Sequence, residues 1–577
     1  MSSAELARHL DGVVPELDDE ATLESPSERL PDIRPGLIIR DEVLSEFQDY
    51  SGVTFNGPVK LDGVKFIKGF SFSGATFLGP VVITDVVVDQ RKGSVSDFAQ
   101  CKFFKTLRVK RTSLYLANFE GCTFCQNAVF IDTRFHAAAR FARSKFQLAA
   151  NFSRTIFRGA GHFQGVAFST GANFESAIFR YDHCHARFGE ARFCGPAIFN
   201  NAVFSGQADF SEAVFEAHAS FFGTTFGAFQ AEADNGADDE EIDRSITQAD
   251  LPISFANATF SPSEELLVTF EQCRIGGRNF ARDISFDGAR FRSTSLDGAG
   301  GRVRANFRDM HCNGLFSLRS ADFAPDVVVD FYKSRFEGDL DLSDCGFNDS
   351  ALFEKVKFKS EVNIAKTRFS KFPDFQQATF GHPPKLYQAV LPQRASSTAK
   401  RERKQILLRL GTLRRLAAEA LDKRTEFTLL VQELKLEGGI ASRLYGIVSA
   451  YGQSWVRPSM WLALFALIIF PLLHLAVAVR MPPSLQFQEG LAGITRCADG
   501  TEGNAVAAAI ELSIAQSMIV TAEDETRTRR IQDCLGSDDA AGGRSLLASL
   551  LEATQTILTL VLVFFIGAAV RRRLQLR

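Results

Sequence analysis

The sequence predicts a β-solenoid carried by a helical stalk and two transmembrane helices. Three observations predict it. Phenylalanine occurs 55 times against 7 tyrosines and 2 tryptophans, a long central stretch spaces those phenylalanines at steps of five and six residues, and two apolar segments near the C-terminus have spanning length. An ordinary mixed core has no reason to choose Phe so consistently. The formal net charge of −3 over 577 residues carries no global signature for nucleic acid or an anionic surface.

Residues 1–50 are polar, acidic in places and interrupted by proline. No basic start leads into an apolar run, so no secretory signal is expected and the bulk of the chain is expected on the cytoplasmic side. The ladder is clearest at Phe119, Phe124, Phe130, Phe135, Phe141, Phe146, Phe152, Phe157, Phe163, Phe168, Phe174 and Phe179, where steps of five and six alternate to make an eleven-residue unit. Eleven residues also suit a right-handed helical supercoil, but the Gly, Ser, Asn and Thr between these phenylalanines are poor helix formers. Two positions before nearly every Phe stands a small residue, as at Ala117, Cys122, Ala128, Ala150, Ala172 and Ala177, with Val166 a mild exception. A bulky and a small side chain recurring together suit a narrow coil whose every side sends one of each inward.

Stretches such as Ala117-Asn118-Phe119, Ala172-Asn173-Phe174 and Ala208-Asp209-Phe210 resemble the pentapeptide repeat family, whose unit is a small residue, Asp or Asn, a central Leu or Phe, then two polar residues. The resemblance implies a right-handed quadrilateral β-helix over 51–229 and 251–384, and the extra residue in every second unit implies an enlarged corner on alternate sides. About fourteen turns at ~4.8 Å each make a rod roughly 65 Å long. Eight scattered cysteines in this region read as small apolar residues in a reducing compartment.

Two interruptions invite a site. The insertion at 230–250 concentrates acidic residues between Glu232 and Asp243, but the spacing of an EF-hand is absent and a solvated loop is expected. The cluster His183, Cys184, His185 offers soft ligands without an evident fourth, and is expected to be a repeat defect in which Cys184 fills the Phe position. No nucleophile motif, phosphate-binding loop or carboxylate pair stands out. The expectation is therefore a non-enzymatic protein with no catalytic, cofactor-binding or metal-binding residues.

From about Lys400 the composition turns to Arg, Leu, Glu and Ala with leucines at helical spacing, including Leu407, Leu410, Leu413, Leu416, Leu421, Leu429, Leu430 and Leu434, which predicts an amphipathic stalk over 385–453 whose helices pack on each other or on the solenoid end in preference to the membrane surface. A first span is expected at 454–480, with His474 the one markedly polar residue between Met460 and Val479 and Trp455, Arg457 and Arg480 as flanks, and a second at 546–570, followed by a basic tail at 571–577. Glu552 and Gln555 in the second span either face a partner helix or pore, or reach interfacial water. The loop 481–545 carries a short apolar helix, 504–520, external or re-entrant. Tyr451-Gly452-Gln453-Ser454 and the Arg-capped end Gly567 to Arg573 are similar to the membrane tails of bacterial pentapeptide repeat proteins.

Arg and Lys counts at the span ends do not decide orientation, so the missing export signal does: both termini and the solenoid are expected in the cytoplasm at a bacterial inner membrane, with the loop outside. An oxidising compartment favours a Cys497–Cys534 disulfide over two free thiols. The expected function is a membrane-anchored scaffold that presents the rod to a protein partner. The alternative is a pore or channel-like effector gated through the solenoid, with homo-oligomers formed through the spans. A DNA-mimicking topoisomerase binder fits less well, because mimicry needs an acidic rod and this one exposes Arg134, Arg140, Arg143 and Arg154; nucleic acid is not an expected partner.

Overall fold

A computed structural model describes residues 32–90, 93–180, 185–227, 253–261, 266–276, 282–292, 303–393, 399–478, 504–517, 531–532, 534–535 and 546–575. The rod consists of short strands stacked into four parallel sheets of 14, 13, 14 and 13 strands. Each strand pairs with the strand four places on, so one visit to all four sheets is one coil. Thirteen coils are complete, and a further partial coil adds strands to the first and third sheets only. The sheets begin at Ile33–Arg34, Leu37–Arg40, Val43–Leu44 and Gln48–Asp49.

The rod thus starts one coil before the boundary expected at residue 51. Its opening coil uses Ile39, Leu44 and Tyr50 at the ladder positions, in register with Leu61, Phe66 and the Phe72 level above. Tyr50 stacks on Phe72 at 5.0 Å, and the Arg34 guanidinium lies 5.5 Å from the Tyr50 ring centroid. An inward position needs an apolar body that fills one layer, and Ile, Leu and Tyr supply it as well as Phe does. The composition signal alone therefore marks the start too late.

All twelve ladder phenylalanines from Phe119 to Phe179 are buried. Rings on one sheet stack nearly parallel, as Phe130, Phe152 and Phe174 do at 4.8 Å each, while rings on opposite sheets meet edge to face, as Phe141 and Phe152 do at 5.2 Å and 85°. Both are favourable aromatic geometries, and each buried Phe contributes about 1.5–3 kcal/mol relative to exposure.

The alternation of five and six is an alternation of corners. Five-residue steps turn from the second sheet to the third and from the fourth to the first. At Phe152 the Thr155 amide donates to the Phe152 carbonyl at 3.2 Å, with Arg154 between them at φ 56°. The Asn151 carboxamide accepts from the Ser153 amide at 2.9 Å. This is the physical reason for Asn, Asp or Ser just before the Phe of a tight corner, since these side chains replace backbone partners in turns. The small residue after the corner is often a donor as well: Thr155 Oγ1 donates to the Phe130 carbonyl at 2.5 Å and Ser144 Oγ to the Phe119 carbonyl at 2.6 Å. Cys101, Cys122 and Cys273 occupy the same position, with thiols at 2.9, 2.8 and 2.8 Å from Phe carbonyls. The six-residue steps make the wider corners, on alternate sides.

The acidic insertion lies outside the described residues, as does Cys184. The ladder resumes in register beyond the insertion, with Asp209 opposite Ser254 and Phe210 stacked on Phe255 at 4.7 Å and 2°. Past the last strand, Thr379–Phe380, the chain forms α1 (Lys400–Glu419), α2 (Lys423–Glu437) and α3 (Ile440–Ser449). Asp422 caps α2 by accepting from the Thr425 amide, and Gly438 ends it at φ 63°. Leu421, expected on the apolar helix face, instead sits in the α1–α2 turn, 80% exposed at φ 58°.

Two helices are long and apolar enough to cross a membrane, Val456–Val477 and Leu546–Leu574. The first consists of α4 (Val456–Leu464), a π-helical turn at Phe465–Ile469, and α5 (Phe470–Ala478). Pro471 explains the π turn, because its ring would collide with the carbonyl four residues back in a regular α-helix. The short helix, α6, is Ala505–Ser517, and the second span is α7, Leu546–Gln575.

Candidate functional site at the rod surface and the membrane junction

The outward side chains make the rod's surface, and many of its charges pair between neighbouring coils. Arg154 holds Asp132 through two contacts of 2.7 and 3.0 Å, and Arg111 holds Asp85 at 2.9 and 2.7 Å. These exposed pairs are worth little stability each but cancel charge locally. His136 lies half-buried on the third sheet beside Gln90 Nε2 at 3.0 Å. Burial, with Arg158 and Arg134 nearby, lowers its pKa to about 4. Among the described residues no group of three or more His, Cys, Asp or Glu side chains could hold a metal ion.

The stalk is packed directly on the end of the rod. Leu410, Leu413, Leu416 and Ala417 of α1 and Leu429 and Leu436 of α2 join the same continuous core as the phenylalanines. An amphipathic helix thereby covers the last coil, which would otherwise expose its ladder to water. Polar contacts fix the angle. Arg409 Nε reaches Asp374 at 3.1 Å, Arg414 Nε reaches Glu433 at 2.9 Å, and Gln432 Nε2 donates to the Pro392 carbonyl at 3.1 Å.

The stalk in turn touches the spans. Arg572, just past the apolar stretch of α7, donates to Tyr445 Oη at 2.9 Å and to the Tyr451 carbonyl at 3.3 Å, and lies 4.8 Å from the Phe427 ring centroid. The start of the first span therefore adjoins the end of the second. Their other ends meet at His474, so the two spans form an antiparallel hairpin.

That second meeting point is a buried polar cluster. His474 Nε2 lies 3.0 Å from Gln555 Oε1. Gln555 Nε2 donates to the Ser513 carbonyl at 2.7 Å, to Ser513 Oγ at 2.9 Å and to Ser517 Oγ at 3.1 Å. Gln555 and Ser513 are fully buried and His474 nearly so. One side chain, Gln555, thus joins α5, α6 and α7. Glu552, three residues before Gln555 on α7, lies 3.4 Å from Gln532 Nε2. The short helix is thus wedged against both spans. Asn504 caps it, accepting from the Val506 amide at 2.9 Å, and its Ala508, Ala509 and Leu512 pack with Ile531, Cys534 and Leu535 into a small second core. Cys534 is disulfide-bonded, while seven cysteines of the rod are free thiols. Cys497 lies outside the described residues.

Sequence reading had noted His474 and Gln555 separately. The sequence signals available for their meeting are His474 in the first apolar span and Glu552 and Gln555 in the second, and they give no depth. Comparison with family models, with curated proteins and with solved structures found no match for this chain. The fold itself defines the class: a four-faced parallel β-solenoid, the architecture of pentapeptide repeat proteins, followed by a helical region with two candidate membrane-spanning helices.

Proposed function

We propose that the chain is a membrane-anchored, non-enzymatic scaffold of the pentapeptide repeat type, which holds a rigid rod at the inner face of a bacterial membrane for a protein partner. The observation that carries this reading is the unbroken packing from Phe375 through α1 and α2 to Arg572. A rod tethered by a flexible linker would sample all directions, whereas one whose core continues into a stalk that itself contacts the spans presents its surface at a defined angle. Cross-linking in intact cells, with photoreactive side chains at exposed rod positions, tests the reading. Partners should be captured from the rod surface by membrane-bound protein, and the same surface freed of its spans should lose them. Equal capture by the soluble rod would remove the role of the anchor.

The polar cluster around Gln555 favours a second reading, a pore or effector whose state is set through the stalk, assembled from several copies through the spans. Polar side chains in a membrane segment accompany ion and proton paths. Ion flux through the purified protein in liposomes separates the two readings: flux that depends on His474 or Gln555 supports the pore, and tight vesicles support the scaffold.

A further inference from the structure

The charges of the rod are not spread evenly over its four faces. On the third sheet the outward residues Arg274, His311, Arg335 and Lys357 occupy four successive coils in direct register and all are exposed. Strand spacing puts them about 4.8 Å apart. In the coils before them the same position holds Arg134, Ile156, Ile178, Val203 and Thr225. On the fourth sheet, at the same coils, it holds Ser285, Ser317, Asp341 and Asn363. The row is specific to one face and one end of the rod.

The corner beside the row adds to it. Arg308, Lys333 and Lys355 surround one tyrosine, Tyr332, at 4.8, 5.1 and 5.0 Å from its ring centroid. Carboxylates are present but outnumbered. Glu337 sits between Arg335 and Lys359, 2.6 Å from the latter's Nζ, and the buried Asp330 lies 3.4 and 3.7 Å from Arg304 and Arg308. Like charges placed opposite one another on neighbouring strands oppose folding. A surface that keeps Arg274, Arg335 and Lys357 in line, with a histidine among them, is suited to a partner carrying several negative charges.

The stalk places this surface near the membrane boundary. Gln432 touches the rod end at Pro392, and Phe427, five residues earlier on α2, lies against Arg572 at the end of the second span. Five helical residues advance about 7.5 Å, so the last coil lies within a few side-chain lengths of the headgroup level. The cationic row begins one coil further out. An upright rod would hold most of the row beyond the ~8 Å range of unscreened charge, whereas a rod leaning on its third face would bring all four positions to the surface.

We propose that the third face of the rod, from Arg274 to Lys357, docks on the anionic phospholipid headgroups of the membrane that its own spans cross, so that the rod leans along an acidic leaflet. The inference rests on the membrane-anchored reading above. Clusters of Lys and Arg beside a span bind acidic leaflets in this way.

Lysine acetylation of the full-length protein in lipid nanodiscs tests it. Acetylation of Lys357 and Lys359 should be several-fold slower in phosphatidylglycerol-rich discs than in phosphatidylcholine discs, while Lys102 and Lys145, exposed on the first sheet, keep one rate in both. High salt should erase the difference. In the exposed double variant Arg335→Gln, Lys357→Gln, Lys359 should recover its neutral-disc rate, and Arg290→Gln on the first face should leave the protection intact. Equal rates in the two lipids, slowing shared by Lys102 and Lys145, or protection unchanged in the double variant would each overturn the proposal. Protein that never co-elutes with either disc would overturn the anchored reading itself, an outcome distinct from the other three.

Discussion

Phe152 and Arg154, two residues apart, show how the coil divides labour between side chains. Phe152 is fully buried, stacked between Phe130 and Phe174. Arg154 is exposed and pairs with Asp132. Phe152→Ala should destabilise the neighbouring coils by about 3–5 kcal/mol, because neighbouring rungs cannot collapse into the gap. Arg154→Ala should cost less than about 1 kcal/mol. Hydrogen exchange of the flanking coils measures both, and equal effects would contradict the packing described. His136 supplies a pH dependence. Its pKa falls to about 4 in the folded chain from an ordinary 6.5, first through burial and then through Arg158 and Arg134. The unfolded chain therefore binds the proton more readily between those values, so stability is full above about pH 6.5 and declines as pH drops towards 4. A His136→Gln rod should lose that part of its acid sensitivity in thermal melts at pH 7 and pH 5; an unchanged difference between the two melts would count against it.

At the scale of elements, register matters more than length. Deleting one residue between Phe152 and Phe157 should turn the following ladder out of the core. Deleting 231–243 should be tolerated, since Phe210 and Phe255 already stack across the insertion. Limited proteolysis and circular dichroism of the two deletions should differ sharply, and similar damage from both would show that the insertion carries structural weight. Within the spans, Gln555→Leu removes one side chain's hydrogen bonds to α5 and α6 at once. Interhelical bonds in membranes are worth roughly 0.6–1.7 kcal/mol each, so the folded fraction should change modestly. The α6 helix, held to α7 by those bonds, should become markedly more accessible to water-soluble thiol reagents at a cysteine placed at Ser513. Unaltered accessibility would mean that packing alone seats the helix.

For the whole molecule, the rod, stalk and spans behave as a sum of local units joined at few points. Solenoid stability adds over coils and their interfaces, so no single rung is indispensable, whereas the junction through Arg409 and Arg572 has no repeat to replace it. The topology proposed for the chain places the loop between spans outside the cytoplasm, where Cys534 would pair with Cys497. Closing about 38 residues is worth roughly 4 kcal/mol in the chain-entropy model. Alkylation of protein taken from cells without reductant, followed by peptide mapping, should find these two linked and the rod thiols modified. Free Cys497 together with a modified Cys534 would argue against both the pairing and the orientation.

The ladder, its eleven-residue unit, the stalk and the two apolar spans were legible in the sequence because each is a pattern along one dimension, repeated or sustained over many residues. Alternate enlarged corners could be read from the extra residue in every second unit. The opening coil could not, because Ile39, Leu44 and Tyr50 meet the same packing need as Phe without its compositional mark. Packing of the stalk on its own helices or on the rod end was readable from the helical spacing, but that Leu410, Leu413 and Leu416 close the rod was not, since spacing names an apolar face and not which neighbour covers it. Leu421 shared that spacing and ended in a turn. The joining of His474, Ser513, Ser517 and Gln555 was decided only by tertiary structure: three segments distant in sequence must meet at one depth, and depth is set by how the helices pack.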